Sequence, residues 1–428
     1  MKLKNIIILL AAAAALVSCE EETADIKGLR CNTQISEYLY GVEYDDYSFD
    51  DCKEYFDNKY IPGNAGCSEV RRGEFVGRNL DWYINRNASA IIKVKGNDKR
   101  YASIGIVGCF PEFSVDVAST GEYNDVYRYL PFKTEDGVNE CGLYVGINVM
   151  PTGETSFDPD KWRSHEYGLS AAHTNPSASM HCAVNYLPRI LLDNASSVEE
   201  AKRIIDEIDW TDPKDYPEQG QTQSFHWLIC DAHHSVVLEF IENKAHYTEA
   251  EAIDRPGYGT IMTNFTNCLR EAGIMQTTGI GYERYDVLFN NYLNTTDYPD
   301  SFEGMQKLMQ QVWFTKTYTT PVDSRDLWLT EFSSEELPAG LLYQNYEFVQ
   351  NPEVKAALEQ GRSKFYDKSL WYVDETPLWF STHTSVYNII DHTLHVIVHE
   401  GLDDMKDYYQ ASLENSHFAK PLKFKPKK

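Results

Sequence analysis

The sequence predicts an α+β domain in which strands and helices form separate layers. Segments 74–82, 101–110 and 142–149 have the alternating or continuous apolar pattern of strands. Helical segments follow them in the chain, and strand hairpins return after the helices. This grouping favours layered sheets over the alternating order of a parallel βαβ fold.

Two helices in the middle of the chain are predicted from spacing and from a capping signal. Residues 180–192 are apolar at helical spacing, which indicates a first helix. Ser197, followed three residues later by Glu200, has the pattern of a capping box. A second helix is therefore expected to begin there and to end near Ile208.

Hairpins and later helices complete the predicted domain. Ranges 225–241 and 385–398 each contain two strand patterns joined by a short turn. Ranges 282–293 and 302–313 have the apolar spacing of helices. Because no repeat or low-complexity linker interrupts 67–428, that range is predicted to be a single domain.

Composition indicates a globular protein that does not bind nucleic acid. Of the 428 residues, 42% are hydrophobic and 13% aromatic, which is enough for a sizeable core. The 65 acidic and 39 basic residues give a net charge of −26, and such a surface repels phosphate backbones.

The N-terminus is predicted to be a lipoprotein export signal, residues 1–18. Lys2 and Lys4 precede an apolar run at 6–17 that is too short to anchor in a bilayer. The run ends in Leu-Val-Ser-Cys, with the cysteine at Cys19, and resembles the lipobox in which that cysteine becomes lipidated. The alternative is a plain secretory signal. Both predict export, and lipid on Cys19 predicts membrane attachment as a periplasmic or outer-membrane lipoprotein of a Gram-negative bacterium.

Residues 19–66 are predicted to be a leader that is removed or displaced on maturation. Residues 20–66 contain acidic pairs and end in a Pro-Gly turn signal, so few core side chains are expected there. From Cys67 onward the pattern becomes that of a folded domain.

The nine cysteines leave the disulfide pattern open. Disulfides are common in exported proteins, and a Cys31–Cys52 bridge is one pairing that the sequence allows. Apolar neighbours predict buried thiols at four other positions: Cys109, Cys141, Cys182 and Cys230.

Cys67 is the candidate nucleophile because cleavage before it would provide a base. A cysteine attacks as thiolate and needs a nearby base or positive charge. Cutting the Gly66–Cys67 bond frees an α-amine whose ordinary pKa is roughly 8, close to working pH. The small Gly66 lets the thiol reach the preceding carbonyl. On its own, however, Gly-Cys in a turn more often marks a structural cysteine.

The residues after Cys67 resemble the choloylglycine hydrolase and penicillin V acylase family of linear-amide C–N hydrolases. That family begins its mature chain with cysteine and follows it with Gly-Arg-Asn-x-Asp, which stands here at 77–81. The resemblance extends to about residue 401. It implies the N-terminal nucleophile hydrolase fold, a four-layer αββα sandwich of two antiparallel sheets flanked by helices. It also implies a small-molecule amide substrate with an apolar acyl group and no cofactor.

The resemblance assigns Arg78 and Asp81 to the surroundings of Cys67. Arg78 would lie beside the thiol and favour its thiolate, and Asp81 would bond to the α-amine and orient it. A hairpin that returns past Cys67 would bring both charges to the nucleophile. The alternative for this pair is a surface salt bridge.

Two asparagines and a later arginine are assigned in the same way. Asn148, in Gly-Ile-Asn, would donate to the oxyanion, and such a donor is worth about 10²–10³ in rate. Asn264, in Met-Thr-Asn-Phe, would lie near the amine and help to form the oxyanion site. Arg284, at a predicted helix start, would complete the polar network, with Arg270 as a rival.

The substrate is less defined than the reaction type. The resemblance implies a conjugated bile salt, a penicillin V-like compound or an N-acyl amino compound, but 290–376 matches the family weakly. Acidic residues also outnumber basic ones in 67–428, so the overall field does not favour anionic substrates. A same-fold acyltransferase and a non-catalytic binding lipoprotein are the alternatives, and a homo-oligomeric state stays open.

A zinc site is the competing interpretation of His392, His395 and His399. A hairpin would place His395 and His399 on one strand face, but no Cys pair or HExxH motif accompanies them. Exposed histidines on an edge strand are predicted instead, and no metal site is expected.

Overall fold

The computed structural model describes these residues: 28–36, 39–57, 67–83, 88–110, 127, 130–150, 173–211, 224–249, 259–265, 267, 279–280, 284–285, 287–289, 301–312, 372–373, 376–377, 379–399, 405–412 and 422–423. Within them, nine strands form one sheet and seven form another, with three separate short pairs. Four α-helices lie in the same residues: α1 Phe49–Asp57, α2 Leu187–Asn194, α3 Val198–Glu207 and α4 Phe302–Gln310.

The nine-stranded sheet begins in the N-terminal part of the chain. Its strands are β1 Leu29–Ser36, β2 Leu39–Tyr44, β5 Ala88–Val94, β6 Ser103–Phe110, β7 Asp136–Asn139, β8 Tyr144–Met150, β11 Ser224–Cys230, β12 Ser235–Ile241 and β13 Lys244–Glu249. They are neighbours in the order given. Among these described pairs, β2 runs parallel to β5 and the others are antiparallel.

The seven-stranded sheet is antiparallel throughout its described pairs. In spatial order its strands are β14 Gly259–Met262, β3 Cys67–Arg72, β4 Phe75–Tyr83, β19 Trp379–Asn388, β20 Thr393–His399, β21 Met405–Ser412 and β22 Leu422–Lys423. The short pairs are β9 His181–Ala183 with β10 Asp209–Thr211, β15 Asn264–Phe265 with β16 Gly279–Ile280, and β17 Tyr372–Val373 with β18 Thr376–Pro377.

Three apolar cores lie between four layers. One core joins α2 and α3 to the outer face of the nine-stranded sheet. A second fills the space between the two sheets, where Ile104 and Ile106 meet Tyr387 and Val396. The third joins α4 to the seven-stranded sheet. The predicted α+β fold, an αββα sandwich, is therefore confirmed.

Strand β8 shows how this layering turns a polar side chain inward. Val145, Ile147 and Val149 pack in the helix-facing core. Because side chains alternate along a strand, Asn148 points the other way, toward the seven-stranded sheet. It is fully buried there.

Residues 28–57 belong to the folded core. Strand β2 pairs with β5 along its whole length, and β1 pairs with β2. Six apolar side chains of the segment are buried: Leu29, Leu39, Val42, Tyr44, Tyr47 and Cys52. The expectation of few core side chains in 20–66 is therefore wrong for residues 28–57. The sequence of β2 is short and partly polar, but pairing with β5 buries this strand.

The two central helices differ in how well their bounds were predicted. Residues 181–183 form a strand and α2 begins only at Leu187, so the helix predicted from residue 180 is partly wrong. Pro188 lacks the N–H that would bond one turn back, so the helix does not extend toward residue 180. The capping signal of α3 is confirmed, since Ser197 accepts a hydrogen bond from the Glu200 N–H. Within the described part of the chain, no helix combines the length and apolar character needed to cross a bilayer.

The cysteine environments match the predictions in part. Cys182 and Cys230 are buried, as expected. Cys141 is exposed, contrary to expectation, because it lies in the turn between β7 and β8. The side chains of Cys31 and Cys109 lie outside the described ones, so the pairing proposed for Cys31 stays a prediction.

The expectation of exposed histidines on an edge strand is wrong for His395. Strand β20 lies between β19 and β21. His395 is buried there, with its ring stacked on Phe302 at 3.4 Å between centroids. Burial lowers the pKa of His395 to about 3. His392 lies in the preceding turn, and the side chain of His399 is outside the described ones.

Candidate active site

The β3–β4 hairpin brings Arg78 to Cys67. Cys67 is the first residue of β3 and lies opposite Leu80, while Glu69 lies opposite Arg78. Gly73 makes the tight turn with a positive φ of 57°, which favours glycine. As a result, Arg78 Nη2 lies 3.7 Å from Cys67 Sγ. The register of the hairpin thus places Arg78 beside the thiol, which is the position that was predicted for it.

The Cys67 thiol is fully buried. Burial raises the pKa of this thiol to about 12, and the positive charge of Arg78 offsets only part of that effect. The neighbouring carboxyl groups of Asp81, Glu135 and Glu69 raise the pKa further. The thiol is therefore protonated near neutral pH, and a nucleophilic role requires a base that removes its proton.

Arg78 is held by a network of buried acceptors. Its Nε donates to Glu69 at 3.1 Å, its Nη1 donates to Asp136 at 3.4 Å, and its Nη2 donates to the Ile147 oxygen at 2.9 Å. Burial opposes the charge, but Asp136, Cys67 and Glu69 hold the pKa of Arg78 well above its ordinary value. Arg78 is thus a permanently charged group fixed beside the thiol.

The carboxyl partners of Arg78 have further donors of their own. Tyr144 donates to Glu69 at 3.3 Å, and Ser385 donates to Asp136 at 2.7 Å. Burial raises the pKa of Glu69 to about 8 and that of Asp136 to about 6. Burial is the larger effect on both carboxyl groups, and the positive charge of Arg78 offsets only part of it.

Asn264 binds the backbone nitrogen of Cys67. The Cys67 N–H donates to Asn264 Oδ1 at 2.8 Å, and Arg284 Nη2 donates to the same oxygen. Asn264 Nδ2 donates to the Val149 oxygen at 2.6 Å. Two donors on Oδ1 fix the orientation of the amide, so the predicted position of Asn264 beside this nitrogen agrees with the geometry.

Arg284 joins Cys67 to Asp81. Its Nη1 donates to the Cys67 oxygen at 2.9 Å and to Asp81 Oδ2 at 2.9 Å. Asp81 accepts a second hydrogen bond from Ser381 at 2.5 Å. Burial raises the pKa of Asp81 to about 6, against the lowering by Arg284 and Ser381. Asp81 thus orients Arg284, whereas the Cys67 nitrogen is bound by Asn264.

Asn148 lies next to this group on β8. Its Nδ2 donates to the Thr263 oxygen at 3.2 Å, and His226 Nε2 lies 2.6 Å from the same oxygen. His226 also contacts Glu239 at 3.3 Å, so it is a buried histidine with both ring nitrogens engaged. These contacts fix the Thr263 peptide directly before Asn264.

Four side chains of this buried network were not predicted from the sequence: Glu69, Glu135, Asp136 and Ser381. Ser381 lies within the range that the resemblance covers, but no motif marks it as a site residue. Asp136 and Glu69 lie among strand residues with no motif, and their part becomes visible only when strand register is known. Gly66, Cys19 and the rival Arg270 lie outside the described residues.

A cavity of about 700 Å³ lies elsewhere in the described structure. It is lined by residues of α1, the turn at 97–100 and α2, and it contains none of the residues around Cys67. Among the described residues, no group of three His, Cys, Asp or Glu side chains could hold a metal ion.

The groups around Cys67 can stabilise a thiolate. In the uncut chain, however, the Cys67 nitrogen is part of a peptide bond and cannot act as a base. The guanidinium groups of Arg78 and Arg284 and the Asn264 amide contact Cys67, and the Asn148 amide bonds to the Thr263 oxygen directly before Asn264. Each asparagine Nδ2 carries two hydrogens, and the described structure gives each one a single backbone acceptor. Each Nδ2 therefore has a second hydrogen that these described acceptors do not use.

Comparison with known proteins gives one family and several related structures. The family described as linear amide C–N hydrolases, choloylglycine hydrolase family, matches residues 68–320. Two variants of the conjugated bile acid hydrolase from Clostridium perfringens are similar at 15% and 14% identity, with 84% of this chain and 97% of that chain covered and a TM-score of 0.40. Penicillin V acylase from Agrobacterium tumefaciens is similar at 12% identity, with 84% and 98% covered and a TM-score of 0.34. No curated protein matches the sequence.

Proposed function

The chain belongs to the choloylglycine hydrolase family of linear amide C–N hydrolases, and from this we propose that Cys67 is its nucleophile once the preceding peptide bond is cut. The observation that carries the proposal is the environment of the Cys67 nitrogen. Its hydrogen bond to Asn264, at 2.8 Å, would hold the freed α-amine beside its own thiol. A thiol with a pKa of about 12 needs such a base.

Maturation is the first proposed step. The Cys67 thiol attacks the Gly66 carbonyl carbon, and the acyl group moves from nitrogen to sulfur as the C–N bond breaks. Water then hydrolyses the thioester, which frees the leader carboxylate and the thiol. Trimming by a separate protease is an equivalent route to the same N-terminus.

Amide hydrolysis follows the same chemistry. The α-amine of Cys67 takes the thiol proton, and the thiolate attacks the substrate carbonyl carbon. Asn148 and Asn264 donate to the oxyanion. The intermediate collapses, the C–N bond breaks and the leaving amine takes the proton. Water, deprotonated by the α-amine, hydrolyses the thioester and releases the acid.

We propose a linear, non-peptide amide with an apolar acyl half as the substrate. Conjugated bile salts, penicillin V-like compounds and N-acyl amino compounds fit this description. The acidic character of residues 67–428 favours the less anionic members of the set. Export and a lipid on Cys19 are part of the proposal, with the lipobox-like sequence at residues 16–19 as support.

The test combines intact mass with a substrate panel. The purified protein should contain a species that begins with Cys67, and it should hydrolyse at least one compound among tauro- and glyco-conjugates, penicillin V and N-acyl amino acids. A chain that keeps residue 66 covalently attached and hydrolyses none of them would contradict the proposal. Added primary amine distinguishes an acyltransferase, because a new amide would then replace the free acid.

A further inference from the structure

We propose that residues 28–57 stay bound to the catalytic chain after the cut before Cys67, so that the mature enzyme is a non-covalent complex of two chains. The inference rests on the proposed function, because it concerns the product of that cleavage. It replaces the simpler expectation that the leader is discarded.

Strand pairing is the first support. Strand β2 bonds to β5 in register from Leu39 with Ser89 to Tyr44 with Val94. Strand β1 bonds to β2 in turn. Loss of the segment would expose β5 as a long unpaired edge, which proteins avoid because such edges aggregate.

Burial on both faces of β2 is the second support. Leu39 is fully buried in the core between the two sheets. Val42 is fully buried in the core beneath the helices. The segment therefore fills space in two cores at once, and its departure would open a cavity in each.

Polar contacts fix the register of the segment. The buried Glu43 carboxylate lies 3.5 Å from the ammonium group of Lys93 on β5. Arg100 donates to the Tyr47 oxygen at 2.8 Å, and its guanidinium lies 4.0 Å above the Tyr47 ring. The Tyr47 hydroxyl donates to Asp193 on α2. These contacts join three separate parts of the catalytic chain to the segment.

The segment also supports the site itself. Ser89, the partner of Leu39 on β5, lies 3.1 Å from His383 Nδ1. His383 is on β19, two residues from Ser381, which bonds to Asp81. Loss of β2 would free the end of β5 that contacts β19, so the isolated catalytic chain should lose activity.

Retention would also explain how a lipid on Cys19 could serve the enzyme. A discarded leader would take that lipid with it. A leader that stays paired through β2 would tether the catalytic chain to the membrane surface although no covalent bond joins them.

The test compares native and denaturing measurements on the purified mature protein. Denaturing intact mass should show two species, a catalytic chain beginning at Cys67 and a fragment containing 28–57. Native mass and size exclusion should show them as one particle in equimolar amounts. A catalytic chain recovered without the fragment would overturn the inference and leave the proposed function standing, whereas an uncut chain would overturn both.

A second arm tests retention independently of self-cleavage. A specific protease site is inserted within 58–66 of the Cys67→Ala variant, and the protein is cut and washed at low concentration. The fragment should stay bound, and Val42→Ala should lower the urea concentration that releases it. Asp50→Asn, an exposed change on α1, is the matched control and should release at the wild-type concentration. Immediate loss of the fragment, or equal release in the two variants, would contradict the inference.

Discussion

Arg284 and Cys67 are 217 residues apart in the sequence, yet Arg284 Nη1 donates to the Cys67 backbone oxygen at 2.9 Å. The same nitrogen bonds to Asp81 at 2.9 Å. The guanidinium therefore fixes the Cys67 backbone oxygen and the Asp81 carboxylate relative to each other. Three elements from distant parts of the chain meet at this group, so their positions are interdependent.

Cys67→Ala should abolish both maturation and hydrolysis, because no other thiol in the described site could take its place. We expect a single uncut chain by intact mass and amide hydrolysis indistinguishable from the uncatalysed rate. Cys141→Ala is the control, since that thiol is exposed and remote, and it should mature and react normally. Cleavage that persists in Cys67→Ala would assign the cut to another protease.

Asn264→Ala should lower kcat by about 10²–10³, the cost of one oxyanion donor. The substitution also removes the acceptor of the Cys67 nitrogen, so maturation should slow as well. The measurement is kcat per cut chain, with the cut fraction counted by intact mass. Asn388→Ala removes a buried asparagine from the far end of β19 and should leave kcat per cut chain within about twofold of wild type. A similar kcat in both variants would exclude Asn264 from the reaction.

Ser381→Ala should move the acidic limb of the pH profile upward. The Ser381 hydrogen bond lowers the pKa of Asp81, which burial raises to about 6. Without that bond the pKa rises further, so Asp81 loses its charge, and its hold on Arg284, at a higher pH. The log of kcat/KM against pH should show this shift, with activity at pH 6 falling more than at pH 8. Thr384→Ala, which removes a β19 hydroxyl that bonds to Asn79 rather than to Asp81, should not move the limb.

Glu69→Gln should reduce the loss of stability between about pH 5 and pH 8. Burial raises the pKa of Glu69 from 4.5 to about 8. Between these values the folded state binds more protons than the unfolded state, so its stability falls as pH rises. Glutamine resembles the neutral acid and removes this dependence. The measurement is Tm against pH, with the exposed Glu74→Gln as the control; parallel curves for all three proteins would refute the assignment.

The local signals in the sequence were sufficient for the cap of α3 and for seven of the described strands: β4, β6, β8, β11, β12, β19 and β20. Ser197 and Glu200 define that helix start by contacts three residues apart, which a motif can represent. The β3–β4 hairpin is similarly local, and it accounts for the contact of Arg78 with Cys67.

The parts that were missed depend on long-range pairing. Asp136 is held in the site by a hydrogen bond from Ser385 of β19, which lies 249 residues away in the sequence. Strand β2 is buried because it lies parallel to β5, an arrangement that its own sequence does not indicate. In both cases the contacts join segments that are far apart in the sequence, so a local sequence pattern does not indicate them.

Strands β2 and β3 belong to different sheets, and the bond before Cys67 lies between them in the chain. This arrangement affects the rate of refolding after the cut. An uncut chain folds in a first-order reaction whose rate does not depend on protein concentration. Once the bond before Cys67 is cut and the two pieces are separated by denaturant, refolding requires a bimolecular encounter, and its half-time lengthens on dilution. Maturation would thus convert reversible unfolding into a nearly one-way event in dilute solution.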